Sequence, residues 1–268
     1  LPGLHHGKAA VITGGSAGIG MQLGRFLALA GARVLLSARS TEKLSAARDE
    51  IVQELRGIGY PDPANRVQIL GDIDVGSEAA MQQLFDHAIG LYGDVDFLIN
   101  NAGIAGAEEM AVDMTLEDWN RTMEANLISN YSLIRKFAPR MKARGQGGIL
   151  NVSSYFGGEK YLAVAYPNRA DYAVSKAGQR VLAEILSRHL GPEIQINAAA
   201  PGPVDGERLR GQPGAPGLFD RRGRLILENI RLTRVHTAVL GMLDAGEGAQ
   251  ANLEHARNSI EELAQRPA

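Results

Sequence analysis

The 268-residue chain contains no cysteine. It can form neither disulfide bonds nor thiolate metal sites, and it cannot carry an acyl group on a cysteine sulfur. The adjacent His5 and His6 have no further candidate ligands beside them, so we predict no metal site. Chemistry that passes through an acyl-cysteine is therefore excluded.

Long apolar runs and an excess of one charge are absent as well. The longest apolar stretches, such as residues 194–200, have the length of a strand and fall far below the ~20 residues of a membrane helix. The formal net charge is −2 with both signs mixed, so there is no basic stripe for nucleic acid. The start at Leu1 lacks a charged-then-apolar signal, which indicates a trimmed or internal end. We expect a soluble cytoplasmic protein that binds neither membranes nor nucleic acid.

Strand-like apolar runs alternate with helical patterns along the chain. The runs lie at about 8–13, 33–38, 67–71, 95–100, 148–153 and 194–200. This alternation predicts an α/β fold, a doubly wound Rossmann-like parallel sheet with helices on both faces. With 45% apolar residues and no break in composition before about residue 202, the chain can bury one sizeable core.

A glycine-rich turn joins the first strand to the first helix. The apolar run Ala9–Ile12 is followed by Thr13–Gly20, which reads Thr-Gly-Gly-Ser-Ala-Gly-Ile-Gly, and then by a helical pattern. A turn of this kind aims backbone N–H groups and the positive end of the helix at an anion. Because a second strand follows at Arg33–Ser37, the turn predicts dinucleotide binding rather than a tight turn alone.

Two further patterns carry candidate chemistry. Tyr172 and Lys176 stand four residues apart, which on a helix puts phenol and ammonium on one face. The positive charge favours the phenolate, so this Tyr can act as an acid toward an alkoxide formed by hydride transfer. Residues 116–144 read as one long helix with Asn126 and Pro139 inside it, and a mid-helix Asn can mark a local kink.

These motifs together resemble the short-chain dehydrogenase/reductase superfamily. They follow the order of that family over roughly the first two hundred residues: Thr13-Gly14 with Gly18-Ile19-Gly20, Asp74-Val75, Asn100–Gly103, Asn126, Asn151–Ser154, Tyr172 with Lys176, and Pro201-Gly202. The resemblance implies the catalytic residues Asn126, Ser154, Tyr172 and Lys176. It also implies cofactor contacts from Gly14, Ser16, Ala17, Ile19, Arg39, Asp74, Asn101, Ala102, Gly103, Tyr172, Lys176, Pro201, Gly202 and Val204.

The resemblance also implies a role for each catalytic side chain. Ser154, the second of the Ser153–Ser154 pair, would donate a hydrogen bond to the substrate carbonyl, and Tyr172 would deliver the proton. Lys176 would favour the phenolate and hold the nicotinamide ribose. Asn126 would steady a water near Lys176, and Asp74 would accept a bond from the adenine amino group.

The residue after the second strand predicts the choice of cofactor. An enzyme that uses NAD usually has an acid there to bind the ribose hydroxyls, whereas this chain has Ala38 followed by Arg39. An arginine suits a 2′-phosphate, so NADPH is the predicted cofactor. The alternative is that Arg39 is an ordinary exposed arginine.

A narrower resemblance is to the bifunctional malonyl-CoA reductases. It is carried by residues 127–131, 155–171, 202–204 and 208–211, and it points to the domain that opens the thioester-reducing half of these tandem enzymes. It implies NADPH-dependent reduction of malonyl-CoA to CoA and malonate semialdehyde, a step toward 3-hydroxypropionate. It also implies companion reductase domains in a longer parent chain. Without cysteine, the hydride would have to attack the thioester directly.

The loops around the predicted site are less regular than the family pattern. The stretch 155–171 is longer than usual and holds two rival phenols, Tyr161 and Tyr166, neither followed by Lys at the fourth position. A cation is needed for the free carboxylate of malonyl-CoA, and the candidates are Lys160, Arg169, Arg208 and Arg210.

The end of the chain departs from the family as well. We divide the chain into a dinucleotide-binding catalytic core at 1–202 and an extension of the same domain at 203–268. The extension reads as a Pro- and Gly-rich loop, a basic amphipathic helix at 218–232 and two short helices. We find no candidate for the seventh strand of the superfamily at 217–268, so the final strand is expected to be missing.

Two alternatives to malonyl-CoA reduction stay open. The same four catalytic residues would serve an NADPH-dependent aldehyde or ketone reductase. A non-catalytic scaffold domain of a tandem reductase is the other, although a scaffold has no chemical need for that set. Homo-oligomerisation is possible, because the helices that pair in the superfamily also cover the core of a monomer.

Overall fold

The computed structural model of the chain describes residues 3–158, 167–202 and 204. Six strands form one parallel sheet in the order β3-β2-β1-β4-β5-β6. Their bounds are β1 Ala9–Thr13, β2 Arg33–Ser37, β3 Val67–Leu70, β4 Phe97–Asn100, β5 Gly147–Val152 and β6 Ile194–Ala199. The predicted doubly wound α/β fold is confirmed.

Helices connect the strands. They are α1 Gly18–Leu29, α2 Thr41–Gly57, α3 Pro63–Arg66, α4 Glu78–Tyr92, α5 Leu116–Met123, α6 Ser129–Ala143 and α7 Ala170–Leu190, with short 3₁₀ turns at Tyr155–Gly157 and Pro167–Arg169. The strand order runs outward from β1 in one direction and then returns through β4 in the other. Because strand crossovers are right-handed, α1 and α2 cover one face of the sheet, and α4, α6 and α7 cover the other.

Buried apolar side chains cover both faces of this sheet, from α1 and α2 on one face, such as Leu27 and Ile51, and from α4, α6 and α7 on the other. Strands β1 and β4 are buried along their whole length, as expected for parallel strands covered on both sides. One cluster of buried apolar side chains joins strands to helices: Val11, Leu35, Leu98, Ile149, Ile196, Leu84, Phe137 and Ala183. It holds the carboxyl ends of the strands at fixed positions, and the candidate site residues follow those ends.

The predicted strand limits are shifted by one or two residues. The apolar run at 95–100 predicts a fourth strand that includes Val95 and Asp96, but the strand begins at Phe97. The Asp96 carboxylate instead accepts a bond from the Ala9 backbone N–H at 2.9 Å and binds Lys8 at 3.3 Å. The buried carboxylate thus accepts the N–H of the first residue of β1, so Asp96 holds the start of β1 beside the start of β4.

The predicted long helix is interrupted by a wider turn. Residues Glu124–Ile128 form a π-helical segment between α5 and α6, and Asn126 lies at its centre. Single π turns inside α-helices are often found at functional sites. Asn126 thus lies where the predicted helix departs from α-helical geometry, whereas Pro139 lies on an exposed side of α6 and the helix continues to Ala143.

Residues 201–268 form a second compact unit, of which Pro201, Gly202 and Val204 are described. The predicted helix at 218–232 and the predicted absence of a seventh strand lie outside the described residues, as does 159–166. Within the described part of the chain, no helix is both long and apolar enough to cross a membrane.

Candidate active site

The loops that follow β1 and β4 are tied together at the carboxyl edge of the sheet. The Thr13 hydroxyl accepts bonds from the backbone N–H groups of Asn101 and Ala102, both at 3.0 Å. The Asn101 side-chain amide donates to the carbonyl oxygens of Thr13 at 3.0 Å and Gly14 at 3.1 Å. Strands β1 and β4 are neighbours where the strand order reverses, which is the crevice in which doubly wound sheets bind ligands.

Glycine is required twice in this junction. Gly14 has φ +66°, and a Cβ there would lie 2.8 Å from the Asn101 amide nitrogen. A Cβ on Gly20 would overlap that same amide and the Gly14 carbonyl oxygen. The turn is therefore held by contacts that only glycine allows, and it places Ser16, Ala17 and Ile19 at the start of α1.

The start of α1 differs from the starts of α2, α4 and α5. In those three helices the hydroxyls of Ser40, Ser77 and Thr115 accept a bond from a first-turn N–H. Helix α1 has no side-chain cap and no acidic residue in its first turn. Its N–H groups and the positive end of its dipole point out of the glycine turn, an arrangement that suits a phosphate.

The predicted adenosine contacts lie after β2 and β3. Arg39 is exposed between the end of β2 and Ser40, the cap of α2. Asp74 is exposed, and its Oδ1 accepts a bond from the Gly76 N–H at 3.0 Å. Both residues thus follow strands whose ends share an edge with the glycine turn.

Asn126 joins the loop after β4 to helix α7. Its Oδ1 accepts from the Ile104 N–H at 2.7 Å, and its Nδ2 donates to the Ile104 carbonyl at 3.1 Å and the Ser175 hydroxyl at 3.0 Å. The residue is fully buried. Its backbone carbonyl accepts a bond from the Gln179 side chain. The role of Asn126 in holding a water near Lys176 stays a prediction.

Tyr172 and Lys176 lie one turn apart on α7, as predicted. The Lys176 ammonium is buried and donates to the Val152 carbonyl at 2.8 Å and to Gln179 Oε1 at 3.1 Å. It lies 5.8 Å from the centre of the half-buried Tyr172 ring. The edge of the Phe156 ring packs against the same phenol with 5.8 Å between ring centres.

The two serines after β5 have different surroundings. The Ser153 hydroxyl donates to the Lys176 backbone carbonyl at 2.6 Å, so it fastens the end of β5 to α7. The Ser154 hydroxyl accepts a bond from the Phe156 N–H at 3.3 Å. A hydroxyl that accepts in this way can still donate its own proton, which favours Ser154 as the donor to a substrate carbonyl.

Asp171 is a site residue that the sequence analysis missed. Its buried carboxylate accepts bonds from the Thr122 hydroxyl at 2.7 Å, the Ala107 N–H at 3.1 Å and the Tyr172 N–H at 2.7 Å. A Cβ on Gly106 would overlap this carboxylate. Asp171 therefore anchors the loop after β4 to the first turn of α7, beside the candidate acid. An acidic residue next to the Tyr at a helix start was the available signal.

Of the four candidates for binding a substrate carboxylate, the described residues include Arg169. Arg169 donates to the Ala105 carbonyl at 2.7 Å and pairs with Glu108 at 2.8 Å. Its guanidinium lies 6.0 Å from the Tyr172 ring centre. Lys160, Arg208 and Arg210 lie outside the described residues, as do the rival phenols Tyr161 and Tyr166.

The predictions for metal sites and for the residues that follow β6 have different outcomes. Over residues 3–158, 167–202 and 204, no group of three or more acidic or histidine side chains could hold a metal ion. Pro201, Gly202 and Val204 follow β6 in the chain and belong to the second unit. Their predicted contacts with the cofactor stay predictions.

Comparison with known proteins gives consistent matches. Residues 8–213 match the family described as short chain dehydrogenase. The 7alpha-hydroxysteroid dehydrogenase of Escherichia coli K12 is 34% identical over 205 residues, 76% of this chain and 74% of that protein. The 3-oxoacyl-[acyl-carrier-protein] reductase FabG of Thermotoga maritima is 31% identical over 201 residues, 74% of this chain and 75% of that protein.

A solved structure is more similar in sequence than these relatives. The crystal structure of the C-domain of bacterial malonyl-CoA reductase with NADP is 57% identical, with a TM-score of 0.78. The match covers 94% of this chain but only 38% of that one. A metagenomic short-chain oxidoreductase in complex with NADP is 31% identical with a TM-score of 0.65, over 74% of this chain and 84% of that one.

Proposed function

The chain belongs to the short-chain dehydrogenase family of oxidoreductases, and from this we propose that it is an NADPH-dependent reductase of malonyl-CoA. The observation that supports this substrate is the 57% identity to the C-domain of bacterial malonyl-CoA reductase over 94% of the chain. The chain spans 38% of that solved chain, so companion reductase domains are part of the proposal.

The residues around the glycine turn fit a bound dinucleotide. The uncapped start of α1, with Gly14, Ser16, Ala17 and Ile19 in its turn, would hold the diphosphate. Gly103 allows the loop after β4 to pack closely on the catalytic candidates, because a Cβ there would lie 2.8 Å from Asn126 Oδ1 and 3.6 Å from Lys176 Nζ.

The remaining contacts in the proposal are distributed along the same edge. Arg39 would bind the 2′-phosphate, Asp74 the adenine, and Lys176 the ribose of the nicotinamide half. The loop residues Asn101, Ala102 and Gly103 would line the rest of the cofactor. NADPH, when bound, supplies the hydride.

The chain's own residues would polarise the substrate carbonyl and supply the proton. The Ser154 hydroxyl donates a hydrogen bond to the thioester carbonyl oxygen, which stabilises the negative charge that develops there. Tyr172 gives its proton to that oxygen as the C–H bond forms, and the Lys176 ammonium stabilises the phenolate left behind. The resulting thiohemiacetal returns its hydroxyl proton to the Tyr172 phenolate as the C–S bond breaks, which releases malonate semialdehyde and the CoA thiolate, and the thiolate takes a proton from water. No cysteine is available for an acyl-enzyme route, so reduction is direct.

Substrate comparison tests this proposal. We expect the kcat/KM of the purified protein, measured by NADPH oxidation, to be about tenfold or more higher for malonyl-CoA than for acetyl-CoA. The reason is that a charge-assisted contact to the free carboxylate is worth about 1.5–3 kcal/mol. Free CoA should appear in equal amount to the NADPH consumed. Oxidation of NADPH with a simple aldehyde or ketone and none with either thioester would instead support the alternative suggested by the hydroxysteroid and oxoacyl relatives.

Replacing Arg39 with Ala should raise the KM for NADPH about tenfold and leave the KM for NADH nearly unchanged. The reason is that only NADPH carries the 2′-phosphate that the guanidinium would bind. Arg56→Ala, at an exposed position in the last turn of α2, is the matched control and should change neither value. Equal changes for both cofactors in Arg39→Ala would assign the phosphate to another residue.

A further inference from the structure

Arg169 carries a positive charge beside the candidate acid, immediately before the start of α7. Its Cζ atom lies 6.0 Å from the centre of the Tyr172 ring, and its side chain is 11% exposed. A guanidinium stays protonated in a protein, so one that is mostly buried needs an opposite charge and acceptors close by. The groups that satisfy Arg169 therefore show which ligand this position can accept.

Two acceptors from the loop after β4 hold this guanidinium. Arg169 Nη1 donates to the Ala105 carbonyl at 2.7 Å, and Nη2 lies 2.8 Å from Glu108 Oε1. The carboxylate of Asp171, which is close in the chain, already accepts bonds from three other donors. Within the described residues, Glu108 is thus the counter-charge of Arg169.

The two members of this ion pair differ in their exposure to water. The Glu108 side chain is 55% exposed, so its carboxylate can move into solvent at little cost. The Arg169 guanidinium cannot be hydrated in the same way, so another anion must take the place of Glu108 when it leaves. The pair therefore suits the exchange of one carboxylate for another.

The backbone around Glu108 is held in place, which leaves its side chain as the part that can move. Glu108 has φ +62°, in the left-handed region that residues other than glycine rarely adopt. Its carbonyl accepts from Asn168 Nδ2 at 3.3 Å, and the preceding Ala107 N–H donates to Asp171 at 3.1 Å. Such a conformation persists where the surroundings enforce it, and it is often found at ligand sites.

The proposed substrate carries a carboxylate close to its reacting carbonyl. In malonyl-CoA one methylene group separates the free carboxylate from the thioester carbonyl. A carbonyl bound at the Tyr172 phenol would therefore place this carboxylate near the guanidinium that lies beside the same ring. Arginine is well suited to bind a carboxylate, because its planar fork matches the two oxygens. An acetyl group has no second carboxylate and would leave Arg169 paired with Glu108.

We propose that Glu108 is a specificity-determining residue: it neutralises Arg169 in the free protein, and the free carboxylate of a dicarboxylic acyl thioester displaces it from the guanidinium. The identity of this substrate rests on the proposed function. Specificity arises because a thioester must offer a carboxylate that binds Arg169 better than Glu108 does.

The test compares Glu108→Gln with Glu109→Gln. Both variants remove one negative charge from the same loop, but Glu109 is an exposed neighbour outside the ion pair. Calorimetry measures the Kd of malonyl-CoA and of acetyl-CoA on protein saturated with NADP⁺, which cannot deliver a hydride. We expect Glu108→Gln to bind malonyl-CoA about fivefold more tightly, the effect of removing a half-exposed competing ion pair. Its Kd for acetyl-CoA and both Kd values of Glu109→Gln should match the wild type.

Arg169→Gln tests the other member of the ion pair. We expect its Kd for malonyl-CoA to rise about tenfold or more, because a charge-assisted contact to the carboxylate is lost. Its Kd for acetyl-CoA should stay within about twofold of wild type, which would show that the site is intact. An equal loss for both thioesters would overturn the proposal.

The outcome for Glu108 is separate from the outcome for the reaction. An unchanged Kd for malonyl-CoA in Glu108→Gln would overturn the proposal, and so would an equal gain in Glu109→Gln or for acetyl-CoA. If the expected changes occur but the wild type oxidises no NADPH with malonyl-CoA, the proposed reduction fails and the role of Glu108 is supported. Absence of malonyl-CoA binding in the wild type and in Glu108→Gln would reject both.

Discussion

Tyr172→Phe is expected to lower kcat about a thousandfold while the Kd for NADPH stays within about twofold of wild type. General acid catalysis by a positioned side chain contributes about 10²–10⁴ to a rate, and Phe cannot supply the proton. The ring itself is retained, so its packing against Phe156, with 5.8 Å between ring centres, is kept. Single-turnover kinetics with saturating NADPH would measure the loss in the chemical step.

Tyr92→Phe is the matched control for this variant. Burial raises the pKa of the Tyr92 phenol, and its hydroxyl has no hydrogen-bond partner among the described residues. Removing that hydroxyl should leave turnover unchanged. Turnover close to wild type in Tyr172→Phe would mean that another group delivers the proton.

Asp171→Ala is expected to lower the free energy of unfolding by about 3–5 kcal/mol and to abolish turnover. The substitution leaves the buried Thr122 hydroxyl and the half-buried N–H groups of Ala107 and Tyr172 without their acceptor. Each unsatisfied buried donor costs about 1–3 kcal/mol, and the whole fold has a margin of only about 5–15 kcal/mol. Urea denaturation followed by circular dichroism measures the change.

The loss of activity in this variant has a separate cause. Asp171 holds the loop after β4 against the first turn of α7, so both the loop and the Tyr172 backbone lose a fixed position. Asp49→Ala is the control, because Asp49 is exposed and its ion pair with Arg48 at 3.3 Å should be worth less than about 1 kcal/mol. If Asp171→Ala cost no more than this control, the carboxylate would not be the anchor that its contacts indicate.

The sheet and the glycine turn could be predicted because their signals are local. The run Ala9–Ile12 is apolar enough to be a buried strand by itself, and Gly14 and Gly20 follow within the next turn. The pairing of Tyr172 with Lys176 needs only the period of a helix. For the same reason the strand ends were off by one or two residues, since a terminus depends on partners such as that of Asp96 rather than on the run itself.

The supporting residues could not be predicted in the same way. Gln179 shares the spacing of Tyr172 and Lys176, but nothing in the sequence says that a π turn brings the Asn126 carbonyl to its amide. The acceptor role of Asp171 depends on Ala107, 64 residues earlier in the chain. The ion pair of Arg169 with Glu108 likewise joins residues far apart in the sequence, and a contact of Arg169 with the substrate carboxylate stays a prediction.

The π-helical segment has a consequence for comparing members of this family. A π turn closes its hydrogen bonds from residue i to i+5, one residue more than an α turn, so α5 and α6 are out of phase with a single uninterrupted α-helix. A homologue that lacks the extra residue would still have helices α5 and α6. A different residue would then occupy the position that Asn126 has in this π turn. Against such a homologue, sequence alignment across Glu124–Ile128 must allow a one-residue gap, or it will pair residues that lie about 100° apart around the helix.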